Sequence, residues 1–319
     1  MILKDKTILI TGGCGSFGQK FVEVVLKEYD PRVIRVYDNR EHAMVEMERK
    51  LGSEKLRFFI GDVRDKDRLT RAMNGVDIVV HAAAIKHVPI CEYNPIEAIK
   101  TNIDGAVNVI DAAINSGVEK VINISTDKAV QPVNLYGATK MVAEKLFVQA
   151  NSYSAGKKTI FSCSRYGNVI GSSGSIIPLF KEQREKGEIT ITDEKITRFW
   201  ITLDEGVKFV IRCIENMKGG EVFVPKIPSM KIVDLAEAIA PAATKKIIGL
   251  RSGEKIHEVL LTSEESLHTK EFDDHFVIEP EFAFWDKNNH KDIKSPEKGF
   301  SYSSDKNNQW LDKNKILEV

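Results

Sequence analysis

Short apolar runs and longer amphipathic stretches alternate along the first half of the chain. β-Branched runs occur at Thr7–Thr11, Val33–Tyr37, Leu56–Ile60, Asp77–His81 and Val118–Ile124. Between them, helical stretches are expected at Phe17–Glu28, Arg40–Leu51, Asp65–Met73 and Pro95–Ser116. Ile8-Leu9-Ile10 and Ile78-Val79-Val80 are apolar at successive positions, which suits strands covered on both faces. Strands alternating with helices predict a parallel sheet of right-handed βαβ units. A further helix is expected from Tyr136 past Lys145, and a sixth strand at Thr159–Arg165.

After Arg165 the rhythm changes. Gly167–Gly174 is rich in Gly and Ser, and Pro225, Pro228 and Pro241 punctuate shorter elements. From about Ser263 the chain turns polar, and segments such as Asp286–Lys291 and Asp305–Asn308 read as surface loops or a loosely packed tail. Lys+Arg and Asp+Glu are both 46, so the formal net charge is zero, and no whole-chain attraction to nucleic acid or an anionic membrane is expected. No apolar run reaches the ~18–20 residues of a spanning helix. Asp5 and Lys6 break the N-terminal apolar run, so no signal peptide is expected. Cysteines at 14, 91, 163 and 213 have no zinc spacing, and a chain of this size needs no disulfide staples. These features predict a reduced, cytoplasmic protein without a bound metal.

Gly12, Gly15 and Gly18 form G-x-x-G-x-x-G between the first strand and the first helix. A tight turn there lets the backbone approach a pyrophosphate, and the helix start, with Ser16 and Phe17 as candidate contacts, presents N–H groups and a partial positive charge to it. Asp38 follows 20 residues after Gly18, at the end of the second strand. It can accept hydrogen bonds from adenosine ribose hydroxyls and would repel a 2′-phosphate; Arg40 could instead hold that phosphate. The cofactor is therefore NAD or NADP, with a lean to NAD. Asp62 and Val63 after the third strand are placed over the adenine, and Ala82, Ala83 and Ala84 beside the cofactor. The fold class expected is α/β: a Rossmann-type doubly wound parallel sheet with a smaller C-terminal substrate lobe. The dinucleotide-binding domain is assigned to 1–166 with 203–224 returning to it, the substrate lobe to 167–290, and a polar tail to 291–319.

Ser125-Thr126-Asp127-Lys128 follows the fifth strand, and Tyr136-Gly137-Ala138-Thr139-Lys140 comes soon after. Ligands of parallel sheets gather at the carboxyl ends of strands, so this segment faces the glycine loop's crevice. Tyr136 and Lys140, four apart, share a helix face. A lysine ammonium beside a tyrosine hydroxyl is expected to lower its pKa from ~10 and make it a usable base.

Together these residues resemble the extended short-chain dehydrogenase/reductase family. Thr126-Asp127-Lys128, His81-Ala82-Ala83-Ala84-Ile85-Lys86-His87-Val88-Pro89, Arg165-Tyr166-Gly167-Asn168-Val169 and Thr197–Gly206 resemble, within it, the inverting UDP-N-acetylglucosamine 4,6-dehydratases of pseudaminic acid biosynthesis. The resemblance covers roughly residues 7–260 and returns at Asn308-Gln309-Trp310-Leu311. Tyr37-Asp38-Asn39-Arg40-Glu41 departs from the Ser-Arg-Asp-Glu string of NADP-using members.

The resemblance implies water removal across C5 and C6 of a UDP-sugar, through a tightly bound NAD or NADP regenerated in each turnover. Tyr136 would take the C4 hydroxyl proton, with Lys140 behind it and Thr126 orienting that hydroxyl. Lys128 would abstract the C5 proton and Asp127 would protonate the departing C6 hydroxyl. Asp127 would need its pKa raised about three units from ~3.9, roughly 4 kcal/mol of destabilised carboxylate. Lys128 would need its pKa lowered from ~10.4 to be a neutral base.

For UDP-N-acetylglucosamine, Arg251 and Glu254 are placed at the diphosphate and Asn168 at the sugar-diphosphate region. Thr192, with Asp193, is placed at the uracil, Lys86 and His87 at the sugar, and Arg198 at the lobe interface. Asn102 reads as structural or as a water relay near Tyr136. A homo-oligomer is expected; a downstream aminotransferase stays open as a partner. Two rivals remain, a nucleotide-sugar 4-epimerase and a non-catalytic NAD(P) sensor. The epimerase needs Tyr136 and Lys140 but no Asp-Lys pair, and the sensor would show no turnover.

Overall fold

A computed structural model describes residues 2–154, 159–171, 176–282 and 284–313. Six parallel strands arise in the first half: β1 (Thr7–Thr11), β2 (Val33–Asp38), β3 (Leu56–Ile60), β4 (Ile78–His81), β5 (Lys120–Thr126) and β6 (Ile160–Tyr166). Their spatial order is β6-β5-β4-β1-β2-β3, the doubly wound arrangement that puts a crevice beyond the carboxyl ends of β1 and β4. All residues of β1 and β4 are buried, as their unbroken apolar runs predicted.

The helices between them are α1 (Ser16–Glu28), α2 (Glu41–Leu51), α3 (Lys66–Met73), α4 (Val88–Tyr93), α5 (Pro95–Ile99), α6 (Gly105–Ser116) and α7 (Leu135–Tyr153). The single helix expected over Pro95–Ser116 is broken, because Lys100–Asp104 forms a π turn between α5 and α6. The wider turn carries buried Asn102, whose Oδ1 accepts the Ile85 N–H at 2.9 Å. Its Nδ2 donates to Ile85 O and Thr139 Oγ1, both at 2.9 Å. One amide thus ties the segment after β4 to α7, the structural role expected for Asn102.

The second lobe begins with β7 (Asn168–Ile170), α8 (Ile176–Glu185), β8 (Glu188–Ile191) and β9 (Thr197–Thr202). α9 (Leu203–Asn216) and β10 (Val222–Pro225) return to the first sheet, where β10 pairs in parallel with β6. Then come β11 (Ser229–Lys231), α10 (Ile232–Ile239), β12 (Thr244–Ile247), β13 (Val259–Leu261), β14 (Thr269–Glu271), β15 (His275–Ile278) and β16 (Tyr302–Ser303). β15 pairs antiparallel with β10, and β14, antiparallel to β15, closes that edge of the large sheet. The smaller lobe has its own apolar core around Phe180, Trp200, Met230 and Leu235.

The polar tail assigned to 291–319 is mostly exposed over 291–300, but packs from Tyr302 to Asn307. β16 pairs with β13, and Tyr302 packs on Phe199 at 4.7 Å between ring centres. Ser304 and Asn307 are buried with partners, so polarity there means satisfied hydrogen bonds rather than exposure. Residues 314–319 of that tail, and 172–175 of the Gly/Ser-rich stretch, lie outside the described residues. Among the described residues no helix is long and apolar enough to cross a membrane.

Replacing Asn102 by Leu strands the Ile85 backbone groups and the Thr139 hydroxyl. Urea unfolding of Asn102→Leu should show a loss of about 3 kcal/mol with unchanged m, whereas an unchanged midpoint would refute this role.

Candidate active site

A cleft of about 1300 Å³ runs from the glycine loop to the second lobe. Every residue named from the sequence as a catalytic, cofactor or substrate candidate lines it except Asp193 and Asp127, the latter fully buried.

At one end lie Gly12, Gly15, Ser16, Phe17 and Gly18. Gly12 has φ +65°, and a Cβ there would stand 2.8 Å from the Ala83 backbone. That close approach brings β1 and β4 together under the loop. Helix α1 starts without a side-chain cap and without an acid in its first turn. Its leading N–H groups are therefore not taken by a side-chain cap, which fits a pyrophosphate-bearing dinucleotide.

Asp38 and Arg40, opposing signals in the sequence, are bonded to each other. Asp38 is 5% exposed; its Oδ1 accepts from Arg40 N at 3.1 Å and Arg40 Nε at 3.0 Å. Its Oδ2 accepts from Arg40 Nη2 and from the Cys14 N–H of the loop, both at 3.0 Å. Each oxygen holds two donors, so Asp38 is saturated until Arg40, whose side chain is 54% exposed, moves aside. Asp62 is likewise held by Arg64, at 2.7 Å, which keeps its carboxyl below the usual range. Val63 and Ala82–Ala84 form the wall beside it.

At the centre, β5 ends in Thr126 and the chain makes a tight turn through Asp127–Ala129. Asp127 is 0% exposed. Its Oδ1 accepts from Thr126 Oγ1 at 2.9 Å and from Lys128 Nζ at 3.0 Å, while Oδ2 has no hydrogen-bond partner. Lys128 also donates to Asn168 Oδ1 at 3.4 Å. The start of α7 presses on this turn: a Cβ on Gly137 would lie 2.1 Å from Lys128 O, so only glycine fits. Asn134 caps α7 through Gly137 N at 2.8 Å and also holds Gly253 O of the second lobe at 2.8 Å. Its place just before a helix with a polar face was a readable cap signal that the sequence analysis did not use.

The electrostatics correct two expectations. Burial pushes Tyr136 up to about 12; Lys128 and a Thr126 hydrogen bond pull it down, Asp127 pushes it up, and Lys140 is not among its main perturbers. Lys140 is itself lowered to about 8 by burial, against the pull of Cys163 and Glu144. Lys128 was expected below its ordinary value. Burial does pull it down, but Asp127 and Glu258 outweigh that, and it stands above the usual lysine range.

On the substrate side, Thr192 is buried in the cleft wall, while the Asp193 carboxylate accepts the Lys195 N–H at 2.7 Å. Arg198 is committed inward: it donates to Thr197 O, Ile256 O and Lys255 O at 2.8, 3.1 and 2.9 Å. Glu254 accepts the Arg251 N–H at 3.2 Å and pairs with Arg198 at 3.5 Å, which makes it a brace of the turn presenting Arg251. Lys86 and His87 stand at the rim, and burial with Lys128's charge lowers the Lys86 pKa. Glu258, absent from the sequence reading, lies 3.7 Å from Lys128. Nothing in its local spacing marks it, because its neighbours come from distant segments. Among the described residues no His/Cys/Asp/Glu group has the arrangement of a metal site.

The family described as Polysaccharide biosynthesis protein matches residues 8–280. The chain belongs to that family. It is 53% identical, over 100% of its length and 98% of the relative, to the UDP-N-acetylglucosamine 4,6-dehydratase (inverting) of Campylobacter jejuni subsp. jejuni serotype O:2. It is 43% identical, over 86% of its length and 83% of the relative, to the UDP-glucose 4-epimerase of Rickettsia conorii. The X-ray structure of Pen from Bacillus thuringiensis superposes with a TM-score of 0.91 at 39% identity, covering 100% of this chain and 99% of that one. The resemblance to the inverting dehydratases is thus borne out along the whole chain, as is the doubly wound fold.

The two active-site lysines should titrate apart. NMR of the ε-carbons in lysine-labelled protein should place Lys140 near pH 8 and leave Lys128 charged beyond pH 10. The reverse order would overturn the charge arrangement described.

Proposed function

We propose that the chain is a UDP-N-acetylglucosamine 4,6-dehydratase that inverts C5 and releases a UDP-2-acetamido-2,6-dideoxy-L-arabino-hex-4-ulose. The observation that carries this reading is the Asp127–Lys128 pair beside Tyr136: the two groups are 3.0 Å apart, Asp127 fully buried and the Lys128 side chain 26% exposed to the cleft. Removing water across C5 and C6 needs a base and an acid side by side. A 4-epimerase leaves that pair without work.

Tyr136 takes the C4 hydroxyl proton, with Thr126 orienting that hydroxyl and Lys140 behind it. The glycine loop and the start of α1 would hold a nicotinamide dinucleotide, which would supply a reversible hydride acceptor for the C4 and C6 carbons. Lys128 removes the C5 proton, which the C4 ketone has made acidic. Asp127 protonates the C6 hydroxyl, which leaves as water as the C5–C6 double bond forms. One proton passing from Lys128 Nζ to Asp127 Oδ1 produces both active forms without exchange with solvent, and elimination restores the ion pair. A proton added to C5 balances the one taken from the C4 hydroxyl, so the net change is loss of one water.

For the dinucleotide, the Asp38–Arg40 fork favours NAD. Asp38 would accept the hydroxyls of an NAD ribose diol in place of the Arg40 side chain. A 2′-phosphate would instead draw Arg40 away and lie against a buried carboxylate left with only the Cys14 and Arg40 backbone N–H donors. Four buried free thiols among the described residues support a cytoplasmic location. The 4-keto product has the carbonyl that an aminotransferase consumes.

Incubation with UDP-N-acetylglucosamine in heavy water should give, by NMR, a 4-keto-6-deoxy sugar of inverted configuration with deuterium at C5. Lys128→Ala should keep its dinucleotide and lose about a thousandfold in turnover. A C4 epimer with no ketone would establish the epimerase instead. Calorimetry on stripped protein should find NAD bound at least about tenfold tighter than NADP, or about 1.4 kcal/mol, with Asp38→Ala erasing the difference. Tighter NADP binding by the wild type would refute the cofactor choice.

A further inference from the structure

Glu258 is 2% exposed and lies next to β13, at the cleft floor. Its backbone is pinned on both sides by Ser304: its N–H donates to Ser304 Oγ at 2.9 Å and its carbonyl accepts the Ser304 N–H at 2.8 Å. The carboxylate sits among three cations. Oε1 is 3.7 Å from Lys128 Nζ and 3.8 Å from Arg198 Nε, and Oε2 is 3.5 Å from Lys255 Nζ. Oε2 makes no hydrogen bond. Two of these cations are occupied elsewhere: Arg198 by three backbone carbonyls, and Lys255 by Val130 O at 2.6 Å. Lys128 differs, because its contacts are side chains only. Its ammonium donates to Asp127 and Asn168, and Glu258 Oε1 faces it at ion-pair distance, 3.7 Å, without a hydrogen bond.

We propose that Glu258 is a positioning residue for the elimination: by its ion pair it holds the Lys128 nitrogen against its Asp127 and Asn168 acceptors, and it supplies negative charge that governs proton release from the Asp127–Lys128 pair. The inference rests on the dehydratase reading and deepens it. The charged and titratable groups facing Lys128 are Asp127, Glu258, Arg198, Lys86 and Tyr136. Those facing Glu258 are Lys128, Arg198 and Lys255, with Glu254 behind Arg198. Glu258 itself never touches the reacting atoms.

The test compares Glu258→Gln and Glu258→Asp with wild type as full-length holoenzymes. Two rates are read: growth of reduced-nicotinamide absorbance on mixing with UDP-N-acetylglucosamine, which reports C4 oxidation, and deuterium entry at C5 as a function of pH. Glu258→Gln should keep C4 oxidation within about threefold and lose C5 exchange by about thirtyfold. Its C5-exchange profile should move about one unit to lower pH, because removing a nearby negative charge lowers the pKa of both members of the pair. Glu258→Asp keeps the charge but shortens the reach, so exchange should fall with the profile left in place. If Glu258→Gln does not fold, wild-type exchange rates in Glu258→Asp overturn the proposal by themselves. An unmoved profile in Glu258→Gln, or equal loss of oxidation and exchange, also overturns it. A wild type that forms no 4-keto product overturns the dehydratase reading, and this inference with it.

Discussion

An ammonium and a carboxylate held 3.0 Å apart at the floor of a cleft are the constraint the rest of the molecule serves. Taking two charges out of water costs several kcal/mol for each ion, and their attraction offsets this only when the remaining donors and acceptors are matched. Here the partners of Asp127 Oδ1 and Lys128 come from far apart in the chain, and Asp127 Oδ2 is left unmatched. β5 supplies Thr126, β7 supplies Asn168, and the segment before β13 supplies Glu258. Gly137 lets α7 close on the turn that carries the pair. The site therefore exists only when both lobes are folded and in register.

Register is kept by a second buried ionic group. Arg165, at the end of β6, holds Glu144 of α7 with bonds of 3.0 and 2.7 Å and Glu265 with bonds of 3.0 and 2.9 Å. It also donates to Leu260 O of β13 at 3.0 Å. Glu144 lies one helical turn after Lys140, so the same guanidinium that ties sheet to helix fixes the carboxylate acting on Lys140. Arginine suits this place because its planar fork serves two carboxylates and a carbonyl at once, which an ammonium cannot. Such a group stabilises only while every member is present, which couples the catalytic helix to the C-terminal third of the chain.

Local pattern made much of this legible. The six parallel strands fall within two residues of where apolar runs put them, because a strand covered on both faces has to be apolar throughout. The glycine loop and the Tyr136–Lys140 spacing were equally local. What stayed hidden depends on pairing across sequence distance. The π turn at Lys100–Asp104 follows from Asn102 reaching Ile85 and Thr139. The buried 302–307 segment looked like a tail because its polar atoms find partners near Ile227 and Ser229, about 75 residues earlier. Asp38 and Arg40 read as alternatives only because single-residue logic cannot see a fork between neighbours. Glu258 had no signature at all.

The raised pKa of Lys128 looks at odds with a base, and the contradiction dissolves once the pair is treated as one titrating unit. The quantity that matters is not how easily Lys128 yields a proton to bulk water. It is the difference between ammonium with carboxylate and amine with carboxylic acid, which contain the same single proton. Water stabilises the first form and has little effect on the second. When a sugar fills the cleft and displaces water, the charged form loses solvation that the neutral form never had. The equilibrium then shifts toward the neutral form, in which the base and the acid are both ready. Asp127 Oδ2 and Glu258 Oε2, left without hydrogen-bond partners, show that this floor is already poor in donors before anything is bound. In the proposed reaction, substrate binding would complete a desolvation that the fold has begun, so that binding the hexose would also arm the elimination.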